Sequence, residues 1–355
     1  MALGGLAGIG GCGGSPAPCS PGAAGADTGA FPSSLSAYCM VSIDKGTVVP
    51  KDDAVVPYDL NTPLFSDYAT KYRTVWLPPG KSMAYTASGR FELPVGSVIT
   101  KSFGFAADAR SPSSPVKWVE TRVLVRGPSG WKGTAYEWDE AQSEAKISVG
   151  GDVLSPSFTG TGGQVEQPSY LVPSQSQCHK CHDDSGVMGI LGPSAEQLNR
   201  SFSYASGKEN ELAHWSRAGI LKGVPSSSAA PVLPVWNDPT TGDVNARARA
   251  YLAANCGYCH DGSGGEARTS GLVLTGSETD LTALGVCKAP VAAGKAALGQ
   301  RFDVVPGHPE QSILIYRVIQ TETSLAMPEL GRSLEHVEGV DLLSQWVTEL
   351  PGSCP

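Results

Sequence analysis

The pentapeptide Cys-x-x-Cys-His occurs twice in this chain, as Cys178-His179-Lys180-Cys181-His182 and as Cys256-Gly257-Tyr258-Cys259-His260. Two thiols on one helical turn can add to the two vinyl groups of a haem, and the histidine that follows is then held against the iron. Each copy therefore predicts one covalently bound haem c. Cys178, Cys181, Cys256 and Cys259 are the expected attachment points, and His182 and His260 the expected proximal iron ligands. The chemistry this implies is electron movement, and the fold must bury two flat macrocycles and present them with axial ligands. Tetrahedral zinc is the other chemistry of Cys-x-x-Cys with histidine. Two zinc sites would need further ligands, and a histidine directly adjoining the second cysteine is poorly spaced for that geometry.

With 355 residues the chain has room for two or three domains. Charged residues make up only 17%, while 43 glycines and 27 prolines favour strands and turns over long charged helices. A net charge of −8 without any Lys/Arg-rich run argues against nucleic acid as a partner. No stretch approaches the ~20 apolar residues of a membrane-spanning helix.

The chain divides by pattern into five parts. Residues 1–37 are small and Gly-rich, and are expected to be a signal remnant and tether. Within them Ile9-Gly10-Gly11-Cys12 resembles a lipoprotein cleavage site that would give a membrane anchor through lipidated Cys12, the alternative being a disordered terminus with a bystander cysteine. Residues 38–170 carry short β-branched and aromatic runs between turns and predict an antiparallel, sandwich-like β domain. In Val119 to Arg126 the alternation puts Glu120 and Arg122 on one face, expected to be wet, and Val119, Thr121, Val123 and Val125 on the other. Asp59, Asp67, Lys71, Arg73, Glu120 and Arg122 have no site-like spacing and are expected to be solvated edges or structural ion pairs.

Residues 171–224 hold the first motif and two expected helices, one opening at Ser194 and one over Asn210 to Leu221. Residues 225–243 form a Pro/Ser/Gly linker. Residues 244–355 begin with a helix running into Cys256 and end with an apolar stripe of Val337, Val340, Leu343, Val347 and Leu350. The expected fold class is thus α+β and multidomain: an antiparallel β-rich domain, then mainly α-helical haem regions. The order helix, Cys-x-x-Cys-His, loops, Met327-Pro328 and terminal helix is similar to a class I cytochrome c domain.

That resemblance makes Met327 the expected distal ligand of the second haem, with Pro328 setting the backbone beside it; a gap-filling core methionine is the alternative. For the first haem, Met188 follows His182 by six residues, a reach of at most ~20 Å, which suits pocket lining better than ligation. His214, on the expected helix of Asn210 to Leu221, has enough intervening chain to reach the opposite face and is the favoured ligand. Met188, Met40, Met83 or an open position remain alternatives.

Nine cysteines less the four of the motifs leave Cys12, Cys19, Cys39, Cys287 and Cys354. With Cys12 lipidated or removed, Cys19 can pair with Cys39 and Cys287 with Cys354, as in exported proteins; free buried thiols are the alternative.

Four further segments, Pro57 to Asp67, Leu93 to Phe103, Glu120 to Val125 and Glu196 to Arg200, resemble in combination an exported bacterial dihaem c-type cytochrome family of largely uncharacterised function. The resemblance covers roughly residues 56–354. It implies export to the periplasm or cell surface, two haems and a β-rich region before the first, with no established substrate. The function expected is electron transfer between periplasmic or cell-surface redox partner proteins, by an electron carrier rather than a catalyst. A dihaem peroxidase-like enzyme with one open haem, and a surface or glycan-binding module with an attached cytochrome, are the other two readings. Oligomeric state is not legible.

Overall fold

The computed structural model describes residues 19–355 except 27, 29, 185, 263–267 and 292–293. Cys12 and its cleavage-like context lie outside the described residues. The centre of the fold is a six-stranded antiparallel meander: β1 (Val56–Tyr58), β2 (Thr70–Trp76), β3 (Val98–Ala106), β4 (Val116–Gly127), β5 (Gly130–Trp138) and β6 (Ala145–Ser148), hydrogen-bonded in that order. Alternation at period two makes two faces of different character. One carries Trp76, Val98, Val123, Val125 and Tyr136 and is covered by residues 19–55. The stretch expected as a tether is packed here from residue 19 onward. A Cys19–Cys39 disulfide closes it, Leu35 and Tyr38 are buried, and the Tyr136 hydroxyl donates to Pro32 O at 2.9 Å.

The opposite face holds Val75, Ile99, Leu124 and Trp131 at one end and Phe103, Phe105, Ala135 and Tyr170 at the other, each end in its own apolar cluster. Between them runs a band of charge, set by strand register. Arg73 faces Lys101 and Lys101 faces Arg122, while Lys71 faces Phe103 and Phe103 faces Glu120. The sequence pattern predicts a wet face here, and the structure corrects it. Glu120 is fully buried, takes Arg122 at 2.6 Å and accepts from the Tyr170 hydroxyl at 2.6 Å. Arg73 is buried against Asp59 at 2.6 Å. Later parts of the chain fold over this face, so side chains that local alternation assigns to solvent need partners inside.

The expected mainly helical second half, closing in a cytochrome c-like domain, is not what the chain forms. Among the described residues strand exceeds helix, 26% against 19%. Residues 171–224 combine α1 (Gln175–His182), α2 (Ala195–Leu198) and α3 (Glu211–Arg217) with two β-hairpins. Leu221–Lys222 adds a parallel pairing to Met83–Ala84. Residues 244–355 have α4 (Val244–Asn255), α5 (Ile313–Ile319) and α6 (Val337–Glu349) joined by long loops and single 3-10 turns. The physical reason is composition: 43 glycines and 27 prolines interrupt helical runs, so connecting chain takes most of the second half. The stretch expected as a linker, residues 225–243, is tied down, with Thr62 Oγ1 donating to Pro234 O at 2.6 Å and Leu233 N to Glu196 O at 2.9 Å. No helix among the described residues is long and apolar enough to cross a membrane.

Candidate functional site

The second motif follows α4, whose N-terminus is capped by Asp243 accepting from Ala246 N at 2.7 Å. The helix ends at Cys256, and a turn brings His260 N back to Cys256 O at 2.9 Å. Gly257 is required inside this turn, since a Cβ there would lie 2.8 Å from Ala253 O and 3.0 Å from Leu274 O. His260 is buried, its Nδ1 meets Ser270 Oγ at 3.2 Å, and burial beside Arg317 lowers its imidazole to about 4, so the ring is neutral near pH 7. Burial pushes the Cys256 thiol up to about 12.

A cavity of about 280 Å³ opens beside these residues. Cys256, Cys259 and His260 line it together with Leu272, Leu274, Ile313, Val318 and Met327. It lies near the lower end of the ~300–1,000 Å³ typical of small-molecule sites, with the expected mainly apolar lining. Met327 is brought here by a loop held through its backbone: its N–H donates to Arg317 O at 3.0 Å and its carbonyl accepts from Arg332 at 2.6 Å. The loop is anchored in turn by the sheet region, because buried Asp67 accepts from Ser333 N at 2.7 Å and Leu334 N at 2.8 Å. Burial raises the Asp67 carboxyl, and these hydrogen bonds oppose that shift. Nothing in local sequence spacing signals this role, which joins residues more than 260 positions apart.

The first motif is α1 itself, lying against β5, with Gln175 donating to Thr134 Oγ1 at 3.1 Å. A hairpin of Asp183–Asp184 with Val187–Met188 then folds back. His182 Nδ1 sits 3.0 Å from Gly189 O, and no other hydrogen bond engages its ring among the described residues. In the tautomer that donates from Nδ1, Nε2 is left with its lone pair, as a histidine ligand requires. Burial lowers this imidazole to about 4, and Lys101, Arg122 and Arg90 reinforce the shift. Cys178 is raised by burial and feels both Arg122 and Glu120, so the charged band of the sheet faces this motif.

The two motifs adjoin. Lys180 and Cys181 of the first line the cavity of the second, and the Tyr258 hydroxyl is in hydrogen-bonding contact with the Cys181 thiol. Burial raises Tyr258 well above the ordinary phenol range. Strand separation and intervening loops hide this contact from the sequence, where 77 positions separate Cys181 from Tyr258.

The other expected ligands are engaged in contacts of their own. His214 stacks on Tyr204 with 3.4 Å between ring centroids, its Nδ1 lies 3.0 Å from Glu209 Oε2, and Arg217 bonds the same carboxylate. Met188 is buried in the cluster with Trp131 and Ile190, where Gly133 makes room for it: a Cβ there would come within 2.7 Å of Met188 Cε. Met83 belongs to that same cluster, and Met40 to the cluster behind the sheet.

The donor set suits haem c. Among the described cysteines, Cys19–Cys39 and Cys287–Cys354 are disulfide-bonded and the four motif cysteines lie outside these two bridges. Among the described residues, no three His, Cys, Asp or Glu side chains converge to hold a bare metal ion. No protein-family model, curated protein or solved structure matches the chain, and the family resemblance rests on its four segments alone.

Proposed function

We propose that this chain is an exported dihaem c-type cytochrome that passes electrons between redox partner proteins. Cys178, Cys181 and His182 would hold one haem c, and Cys256, Cys259, His260 and Met327 the other. When bound, each haem supplies reversible one-electron chemistry at its iron. The chain's own contribution starts with the histidines: Gly189 O and Ser270 Oγ orient the two rings, and burial keeps both unprotonated. Leu272, Leu274, Ile313 and Val318 exclude water from the second site. Arg317 and Arg332 hold the Met327 loop across the cavity from the motif turn.

One observation carries this reading: the first motif forms part of the wall of the second motif's cavity, through Cys181 against Tyr258. Two attachment sites in contact favour passage of an electron from one to the other over two independent reactions. The two disulfides fit an oxidising compartment, the periplasm or cell surface, where haem c is also attached. The test is the full chain matured in a bacterial periplasm, with peptide mass analysis of both motifs and spectra of the oxidised and reduced protein. Porphyrin mass on both peptides and rapid equilibration of an injected electron between two spectrally distinct haems is the expected result. Absence of added mass on either peptide would overturn the reading.

A second reading has its own support. His214 is held by Tyr204 and Glu209, and Met188 is packed with Trp131 and Ile190, which favours a first haem with an open site and hence a peroxidase-like enzyme. Peroxide turnover with a high-spin signal from the first haem would select this reading over pure transfer.

A further inference from the structure

We propose that the cationic band on the covered sheet face, with Lys101 set between Arg73 and Arg122 and Lys71 two residues before Arg73, is a dicarboxylate-binding site that clamps the two propionates of the porphyrin held at Cys178, Cys181 and His182. This rests on the reading of the first motif as a haem attachment site.

The starting point is register. Arg73, Lys101 and Arg122 stand directly opposite one another on β2, β3 and β4, an arrangement of like charges that destabilises a sheet unless something neutralises it. Two of the three are neutralised internally. Arg73 takes Asp59 at 2.6 Å and Arg122 takes Glu120 at 2.6 Å. Those carboxylates have no spare capacity, since Asp59 also meets Arg200 at 3.2 Å and Glu120 accepts from Tyr170. The two lysines have no carboxylate of their own. The Lys71 ammonium donates to Ala69 O at 3.1 Å, and Lys101 makes no ion pair or hydrogen bond among the described residues.

The band is convergent as well as positive. Lys101 Nζ lies 4.7 Å, Lys71 Nζ 6.0 Å and Arg122 Cζ 4.4 Å from the centre of the Phe103 ring. Both lysines are partly buried, and burial lowers both ammonium groups from their ordinary range. An ammonium in such a place needs a partner or loses its proton. The same cations act on the first motif, with Lys101 and Arg122 on His182 and Arg122 on Cys178. Lys101, an ammonium without a carboxylate, thus acts on an attachment site whose cofactor brings two carboxylates, and Lys71 stands over the same Phe103 ring beside it.

The experiment uses the full chain matured in a bacterial periplasm, as wild type, Lys101→Met, Lys71→Met and Lys101→Arg. Peptide mass analysis first establishes whether residues 178–182 carry porphyrin. Potentiometric titration then gives both midpoints, the first haem being assigned with Cys256→Ala/Cys259→Ala. Removing a cation beside the propionates stabilises the ferric state. Each methionine variant is therefore expected to shift the first haem's reduced-to-oxidised ratio about tenfold at fixed potential, or ~59 mV downward for one electron, with the second haem unmoved and Lys101→Arg close to wild type. In Cys178→Ala/Cys181→Ala protein without the first haem, adding Lys101→Met is expected to raise the melting temperature by relieving the cation row. Porphyrin on the first peptide with unchanged potentials in both methionine variants overturns the clamp and leaves the dihaem reading standing. So does a melting shift of the loaded protein by inorganic phosphate or succinate that depends on Lys101. No porphyrin on the first peptide overturns the underlying reading as well.

Discussion

The two motifs have the same five-residue chemistry and opposite surroundings. The first is carried on a short helix laid on a broad sheet whose facing side chains are charged, with Lys101, Arg122 and Glu120 acting on His182 or Cys178. The second hangs from the end of a longer capped helix and opens into an apolar cavity that also presents a thioether. Identical attachment residues therefore do not specify identical redox sites. With haem bound as proposed, soft sulfur and a dry wall would favour ferrous iron at the second site, and the first would be left to be tuned by charge.

Removing the attachment thiols should break the comparison most visibly. Cys256→Ala/Cys259→Ala is expected to lose one haem's mass and to lower the melting temperature more than Cys178→Ala/Cys181→Ala. The second region has three helices and loops around a cavity, whereas the first has a six-stranded sheet beneath it. Equal losses, measured by scanning calorimetry, would show that both regions depend on cofactor alike. Next, Met327→Ala is expected to abolish the sulfur-to-iron absorption band and lower the second haem's potential by roughly 100 mV or more, within the ~0.8 V span that axial ligands command. The first haem should be unaffected, and a preserved band would remove Met327 from the ligand set.

A third effect belongs to the first region alone. Glu211 on α3 is fully buried, accepts from Asp59 N at 2.8 Å through one oxygen and has no partner on the other, and burial pushes its carboxyl up to about 8. The folded protein keeps this proton after the unfolded chain has lost it, so the contribution of Glu211 to stability falls as pH rises from about 4.5 towards 8. Urea unfolding of Glu211→Gln should therefore gain on wild type progressively across that window. A constant difference between the two proteins would place the carboxyl's ionisation at its ordinary value. The smallest effect is expected from His214→Ala: about 1 kcal/mol or less from the lost Tyr204 stack, with the spectrum of the first haem unchanged. A spectral change would bring His214 back as an axial ligand.

Much of the sheet was legible because alternation over Val98–Ala106 and Val116–Gly127 is strong and turn residues bound each run. Its depth was not. Period-two patterning says which residues share a face and cannot say what later covers that face, so the pattern assigns Glu120 and Arg122 to solvent while the fold buries Glu120 fully and Arg122 in part. Lys101 escaped notice for the same reason, as its significance lies in standing opposite Arg73 and Arg122. His336 carries no local signal of its role, yet it is buried, stacked on Phe65 at 4.1 Å and hydrogen-bonded to Tyr251 at 2.9 Å. Periodic apolar residues predict more helix in the second half than forms there, because they mark where a helix can pack and not how much connecting chain lies between such runs.

Local spacing alone determined the thiol and histidine pentapeptides, the caps and strand runs, and a count of cysteines that allows two disulfides, because each depends on residues near one another in the chain. Only the tertiary structure decided that the pentapeptides meet at Cys181 and Tyr258, that Asp67 anchors the loop bearing Met327, and that four cations share one enclosed face. Those are pairings across tens to hundreds of residues, and their partners are chosen by packing and desolvation, which no stretch of sequence contains by itself.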